Sequence, residues 1–228
     1  MSSRSRVLAW VVSALVLALL AAALIIVARR EGRPNEPSAE VERRRATAAL
    51  IAPVDIGQST VGSVVEIEYS TYGKCFGDKP LLDLAGTGRT AAAQSPGVEL
   101  DDRAYVGSAV VLAKRAESTI STFVALTDSA VLSCINEAFQ RIVEERTERF
   151  VQQISIEVVR EPPVGDQSIG YAIDFGALFP INDAHLGVTV VRAGRGLGFL
   201  FTAVGGPQRF PDAERVRLAS LMAARMPR

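Results

Sequence analysis

The chain is poor in the residues on which most catalytic and nucleic-acid-binding sites are built. Its 228 residues hold one histidine, two cysteines and one tryptophan. With a single His and two Cys it cannot assemble a zinc ligand set, so no metal is expected. A histidine-based triad would have to be built on His185 alone. The chain has no G-x-S-x-G elbow, and no nucleophile is marked for that histidine to serve. Only three lysines occur, Lys74, Lys79 and Lys114; the other basic residues are arginine. Basic excess is missing too. Residues 46–228 carry 17 Lys plus Arg against 21 Asp plus Glu, a net charge of −4. A mildly acidic domain is a poor match for a phosphate backbone, so nucleic acid is excluded as a partner.

Long apolar runs are also lacking, with one exception. Residues 7–28, VLAWVVSALVLALLAAALIIVA, are 22 residues without a charge. As a helix they would span about 33 Å, enough to cross a hydrocarbon core of about 30 Å. The run exceeds the apolar region of a cleaved signal peptide and ends in Arg29–Arg30. It therefore reads as a retained transmembrane signal-anchor, with cleavage as the competing reading. Residues 1–6 form a short cytoplasmic tail in this reading. Residues 29–45 are a charged, Pro-containing linker with a juxtamembrane helix possible from about Ser38, and 46–228 are one folded domain. Roughly 180 residues suffice for one real core.

Charge leaves the orientation open, because Arg4 and Arg6 precede the span while Arg29, Arg30 and Arg33 follow it. The cysteines decide it. Cys75 and Cys134 are the only thiols, widely separated and even in number, a pattern that suits a disulfide in an extracytoplasmic domain. Cys134 neighbours a helical apolar stripe of Val131, Ile135, Ala138, Phe139 and Ile142. A bridge to Cys75 would staple a loop onto that helix. Two separate buried thiols in a cytosolic domain are the alternative.

Along the domain, residues 46–54 read as a short helix ended by Pro53, and VVEIEYSTY from Val64 as a strand. Residues 72–103, rich in Gly, Pro and Asp, read as a long loop. A strand is expected over Tyr105–Ala113, then helices over 116–127 and 129–147. Three alternating segments follow, one around Ile154, Ile156 and Val158, then Ile169–Phe175, then one from Leu186, and the turn AGRG leads into a fourth strand from about Leu197. Pro211 and Asp212 open a last helix to about Met226. Four successive strands with short turns argue for an antiparallel meander. The expected fold class is α+β, a twisted antiparallel sheet buried on one face and covered there by helices.

The segments ATAALIAPVDIG, SAVLSCINEAF, IGYAIDFGALF, GVTVVRAGRGLGFLF and ERVRLASLMAARM, in this order behind a membrane span, carry a resemblance. The chain resembles the extracellular sensor-like domains of actinobacterial PknH-type kinases and related envelope lipoproteins over about residues 46–227. The resemblance implies an envelope domain with a sheet and a helix-lined cleft. It departs from the family in its cysteines, which allow one disulfide where the family's domains carry two. No ligand is implied by any matched motif.

Candidate chemistry is sparse. His185 reads as a residue of the turn NDAHLG. Glu66 with Glu68, and Asp101 with Asp102, read as solvated strand and loop carboxylates. AGRGLG reads as a hairpin turn whose Arg192 and Arg195 could hold an anion. Phe175, Phe179, Phe199, Phe201 and Phe210 read mainly as core, with a subset able to line an apolar cleft. No catalytic residue and no cofactor is expected. The expected function is a non-enzymatic, membrane-anchored sensor-like or binding domain at the cell membrane, its C-terminal domain extracytoplasmic. A tethered lipid or glycolipid carrier and an accessory subunit of an envelope membrane complex are the alternatives. The partners would be the membrane itself and an envelope lipid or membrane protein.

Overall fold

The computed structural model describes residues 37–57, 89–100, 104–137 except 131 and 135, 154–159, 162–175, 184–206 and 208–227. The expected span at 7–28, the strand from Val64, Cys75, Glu66, Glu68, Asp101, Asp102 and the end of the second mid-chain helix lie outside these residues. No helix among the described residues is long and apolar enough to cross a membrane.

The described elements are α1 (Pro37–Ala48), a 3-10 turn (Pro53–Ile56), β1 (Arg89–Gln94), β2 (Val98–Leu100), β3 (Ala104–Ala113), α2 (Ala116–Leu126), β4 (Ile154–Val159), β5 (Gln167–Phe175), β6 (Ala184–Ala193), β7 (Gly196–Gly205) and α3 (Asp212–Arg225). Residues described between 129 and 137 are helical as well. The seven strands form one sheet in the order β1-β3-β7-β6-β5-β4, with β2 also on β3. Every pairing is antiparallel. The expected meander is therefore present as β4 to β7. Its tightest corner is the β6–β7 hairpin, closed by two residues between the pair Ala193 and Gly196. Gly194 there has φ 53°, the left-handed geometry a two-residue hairpin needs and that glycine adopts without strain.

The sheet differs from expectation in being covered on both faces. On one face Val106, Val110, Leu112, Val191 and Leu200 pack under Ala46, Leu50 and Ile51 beside α1 and under Leu218, Ala219 and Met222 of α3. On the other face Val188, Val190, Leu197, Phe199 and Phe201 are buried. There α2 contributes Phe123 and Leu126, and the Tyr171 hydroxyl donates to the Leu126 carbonyl at 2.6 Å. Near-continuous apolar runs such as GLGFLFTAV in β7 follow from this, because a strand buried on both sides has no face to leave polar.

Two boundaries also move. The first helix begins at Pro37, next to the Ser38 start considered for a juxtamembrane helix, and ends at Ala48, so the expected linker at 29–45 runs into it and the expected helix at 46–54 holds only its last turn. Proline is well suited to a first helical turn, where its missing N–H costs nothing. The expected loop at 72–103 contains β1 and β2. These follow one edge of β3, with Gln94 opposite Ala109 and Val98 opposite Val106, and Ser95, Pro96 and Gly97 bulge between them. Proline cannot donate to the ladder, so the strand breaks there and resumes.

Candidate functional site

Beyond the N-terminal end of α3 the helix-covered face opens into a cleft of about 320 Å³. Its floor is sheet. The pleat puts Ala172 and Asp174 of β5, His185 and Gly187 of β6 and Thr202 of β7 on that face, and β4 adds Val159. Its other wall is the segment leading into α3 and the first turn of the helix, with Arg209, Phe210, Pro211, Asp212 and Arg215.

Asp174 and His185 are directly opposed across the β5–β6 ladder. His185 Nδ1 lies 2.6 Å from Asp174 Oδ1, and Arg209 Nη2 donates to Asp174 Oδ2 at 2.6 Å. An ionised carboxylate only accepts, so Nδ1 carries the proton and Nε2 is the ring atom left for another partner. His185 is thus a strand residue in a charged cluster, correcting the expected turn position. Among the described residues lining the cleft there is no serine, cysteine or lysine beside this pair.

Gly187 makes room for Thr202: a Cβ on Gly187 would stand 2.6 Å from Thr202 Oγ1, whereas its approach to Arg215 Cδ, at 3.8 Å, would be an ordinary contact. The Arg215 side chain is only 9% exposed, with Nη2 donating to Asp212 Oδ1 at 2.8 Å. Asp212 is 85% exposed, so this ion pair has a buried cation and a hydrated anion.

The other candidates fall elsewhere. Arg192 donates to Gln167 Oε1 at 2.7 Å and pairs with Asp166, while Arg195 bonds Glu42 at 2.6 Å and the Ala113 carbonyl. The Arg195 guanidinium holds the Glu42 carboxyl below the usual carboxylate range. These arginines pin the β6–β7 hairpin to its neighbours, so AGRGLG is the hairpin turn expected and both arginines considered for an anion are already paired within the protein. Phe199 and Phe201 stack in the core with centroids 6.4 Å apart, and Phe210 alone of the five phenylalanines lines the cleft among the described residues. The side chain of Phe175, and Phe179, lie outside the described residues. Cys134 is half-buried in the helical residues 129–137 and is not a free thiol.

Alternation in IGYAIDF and HLGVTV already implied that Asp174 and His185 share faces with small residues. That Arg209 and Arg215 join them depends on where α3 lands, which no local pattern encodes.

No family model matches the chain, and no curated protein matches it. Among solved structures it is similar to the extracellular domain of PknH from Mycobacterium tuberculosis, at 15% identity and a TM-score of 0.40, covering 80% of this chain and 94% of that one. The likeness carries no ligand or activity over to this chain.

Proposed function

We propose that this chain is a non-enzymatic binding module of the cell envelope, anchored by residues 7–28, with its folded domain on the extracytoplasmic side and a small ligand held in the cleft at the start of α3. The observation that carries this reading is the cleft itself. It is concave, at the lower end of the size of small-molecule pockets, and mixes apolar walls with a few fixed polar groups. Asp174, His185 and Arg209 are held by one another and Gly187 keeps the floor open, so the site is formed before a ligand arrives. The placement is supported by the apolar run at 7–28 and by Cys134 not being a free thiol. Within the proposal its partner is Cys75.

The test is the mass of the full chain isolated from its native membrane with alkylation, under denaturing and then native conditions. A retained N-terminus, an unalkylated cysteine pair and a small non-covalent adduct are expected. That adduct should raise stability by about 2.7 kcal/mol at one hundred times its Kd. A two-chain lipid adduct would replace this reading with the tethered carrier. Alkylated thiols would overturn the extracytoplasmic placement.

A further inference from the structure

The sheet has two unlike ends. The cleft lies at one of them, and at the other, where Ala193 faces Gly196 in the β6–β7 hairpin, exposed cations gather. We propose that the hairpin end rests on the anionic phospholipid headgroups of the membrane that holds the chain, through Arg43 and Arg44 of α1 and Lys114 and Arg115 ahead of α2. This rests on residues 7–28 being the anchor.

The path of α1 sets the geometry. Glu42 bonds Thr90 and Arg195, and these two donate to the Leu112 and Ala113 carbonyls at the end of β3. Past the end of α1 the Ile51 N–H donates to Ser108 Oγ, halfway back along that strand. Helical rise carries the chain about 13 Å from Glu42 to Ile51, and β3 covers about 16 Å from Ser108 to Ala113, so α1 runs alongside β3 in the opposite direction. Its first turn therefore projects past the sheet at the hairpin end, and residues ahead of Pro37 join the domain there. Eight residues separate Ala28 from Pro37, a reach of no more than about 30 Å, so this end cannot stand far from the bilayer. His185 lies about 26 Å back along β6 from Ala193. With the hairpin end on the bilayer, the cleft opens away from it.

The charges at this end favour an anionic surface. Arg43 and Arg44, 67% and 79% exposed, share the single carboxylate of Glu40, and Arg45 and Arg195 share Glu42 in the same way. Lys114 and Arg115 are exposed and have no carboxylate partner among the described residues. Glu117, in the first turn of α2, is an exposed anion beside them. Positive charge is thus in excess here, in a domain whose residues 46–228 total −4, so the attraction is local and selects this end. Each cation near an anionic surface is worth about fivefold in affinity, and the contact fades beyond a Debye length of about 10 Å.

Lys114 is one of only three lysines, so acylation by a membrane-impermeant amine reagent is read at that site from peptide masses. The full chain is reconstituted in sealed phosphatidylcholine vesicles, with or without about one-third phosphatidylglycerol. Lys114 should be acylated about fivefold more slowly, or slower still, on the phosphatidylglycerol vesicles, and added salt should remove the difference. Arg43→Gln combined with Arg44→Gln and Arg115→Gln should abolish the protection. Should that variant not fold, Glu117→Gln gives the opposite sign and should deepen the protection, since it removes an anion from the contact. Equal acylation on the two lipids, or protection unchanged in both variants, would overturn the headgroup contact. Protection that appears only when other proteins of the native membrane are added would assign the patch to an acidic protein and overturn the lipid. The N-terminal amine tests the anchor separately, by fragmentation of the intact chain. With a spanning segment, no single molecule is acylated from outside at both that amine and Lys114. Acylation of both on one molecule would overturn the anchor. Their mutual exclusion, with Lys114 equally open on both lipids, would leave the anchor standing and strike only the headgroup contact.

Discussion

At the scale of single residues, a few buried polar groups do disproportionate work. Ser108 sits in the middle of β3 facing α1. Its Oγ accepts the Ile51 N–H at 2.9 Å, its own N–H donates to Ser95 Oγ at 2.9 Å, and its carbonyl accepts the Ser95 N–H at 2.8 Å. Ser108→Ala would leave a buried backbone N–H without its acceptor and should cost about 1–3 kcal/mol, read as a lower denaturant midpoint at unchanged slope. Asp55 is the second such residue. Its carboxylate takes both guanidinium nitrogens of Arg225 at 2.7 Å and the Ala52 N–H at 2.8 Å. The hydrogen bonds from Arg225 hold its carboxyl below the ordinary 3.8. A depressed carboxylate contributes stability that is present above its unfolded-state pKa and is lost as pH falls through the folded one. Unfolding free energy should therefore drop as the pH falls below about 4, and Asp55→Asn should flatten that part of the curve. A double-mutant cycle of Asp55→Ala with Arg225→Ala should show a coupling of about 1.5–3 kcal/mol, as expected for a charge-assisted, bidentate pair. The aspartate is visible in the sequence, but its partner lies 170 residues away.

At the scale of elements, glycine marks where parts meet. Gly97, at φ 80°, sits under the ring of Tyr105, and a Cβ there would stand 1.8 Å from the Tyr105 hydroxyl oxygen. Gly97→Ala must therefore strain the backbone and displace the ring. It should destabilise by more than about 2 kcal/mol, measured by denaturant unfolding. Gly196 and Gly198 do different work on β7: Cβ atoms there would meet Met226 Sδ at 2.7 Å and Met222 Cε at 2.9 Å, so α3 lies close on the sheet because those positions have no side chain. The strands β5 and β6 were legible from alternation, and β3 and β7 as apolar runs of ten residues bounded by turn residues. β1 was not, since RTAAAQ has neither strong β propensity nor alternation and becomes a strand by pairing with β3. The start of α1 at Pro37 lies one residue from the juxtamembrane helix considered from Ser38. PSAEVERRRATA is a charged surface helix fastened mainly at its end, by Ala46, Ala49 and Leu50.

At the scale of the whole molecule, the pairing of β3 with β7 joins residues 104–113 to 196–205 and makes one sheet of the early and late strands. A bridge between Cys75 and Cys134, if formed as proposed, closes a loop of about 60 residues, and reducing it should cost roughly 4 kcal/mol in the chain-entropy picture, seen as a lower midpoint in reductant. The sequence by itself determined what depends on local order. The apolar run at 7–28, the antiparallel meander from β4 to β7 and the final helix all rest on hydropathy and periodicity between near neighbours. Only the tertiary structure decided the rest. A second buried face follows from helices arriving on both sides of the sheet, and periodicity within β7 cannot distinguish which helix covers it. The cleft exists because the start of α3 stands beside Asp174, His185 and Gly187, and that proximity is set by packing across the sheet, where residues distant along the chain share one space.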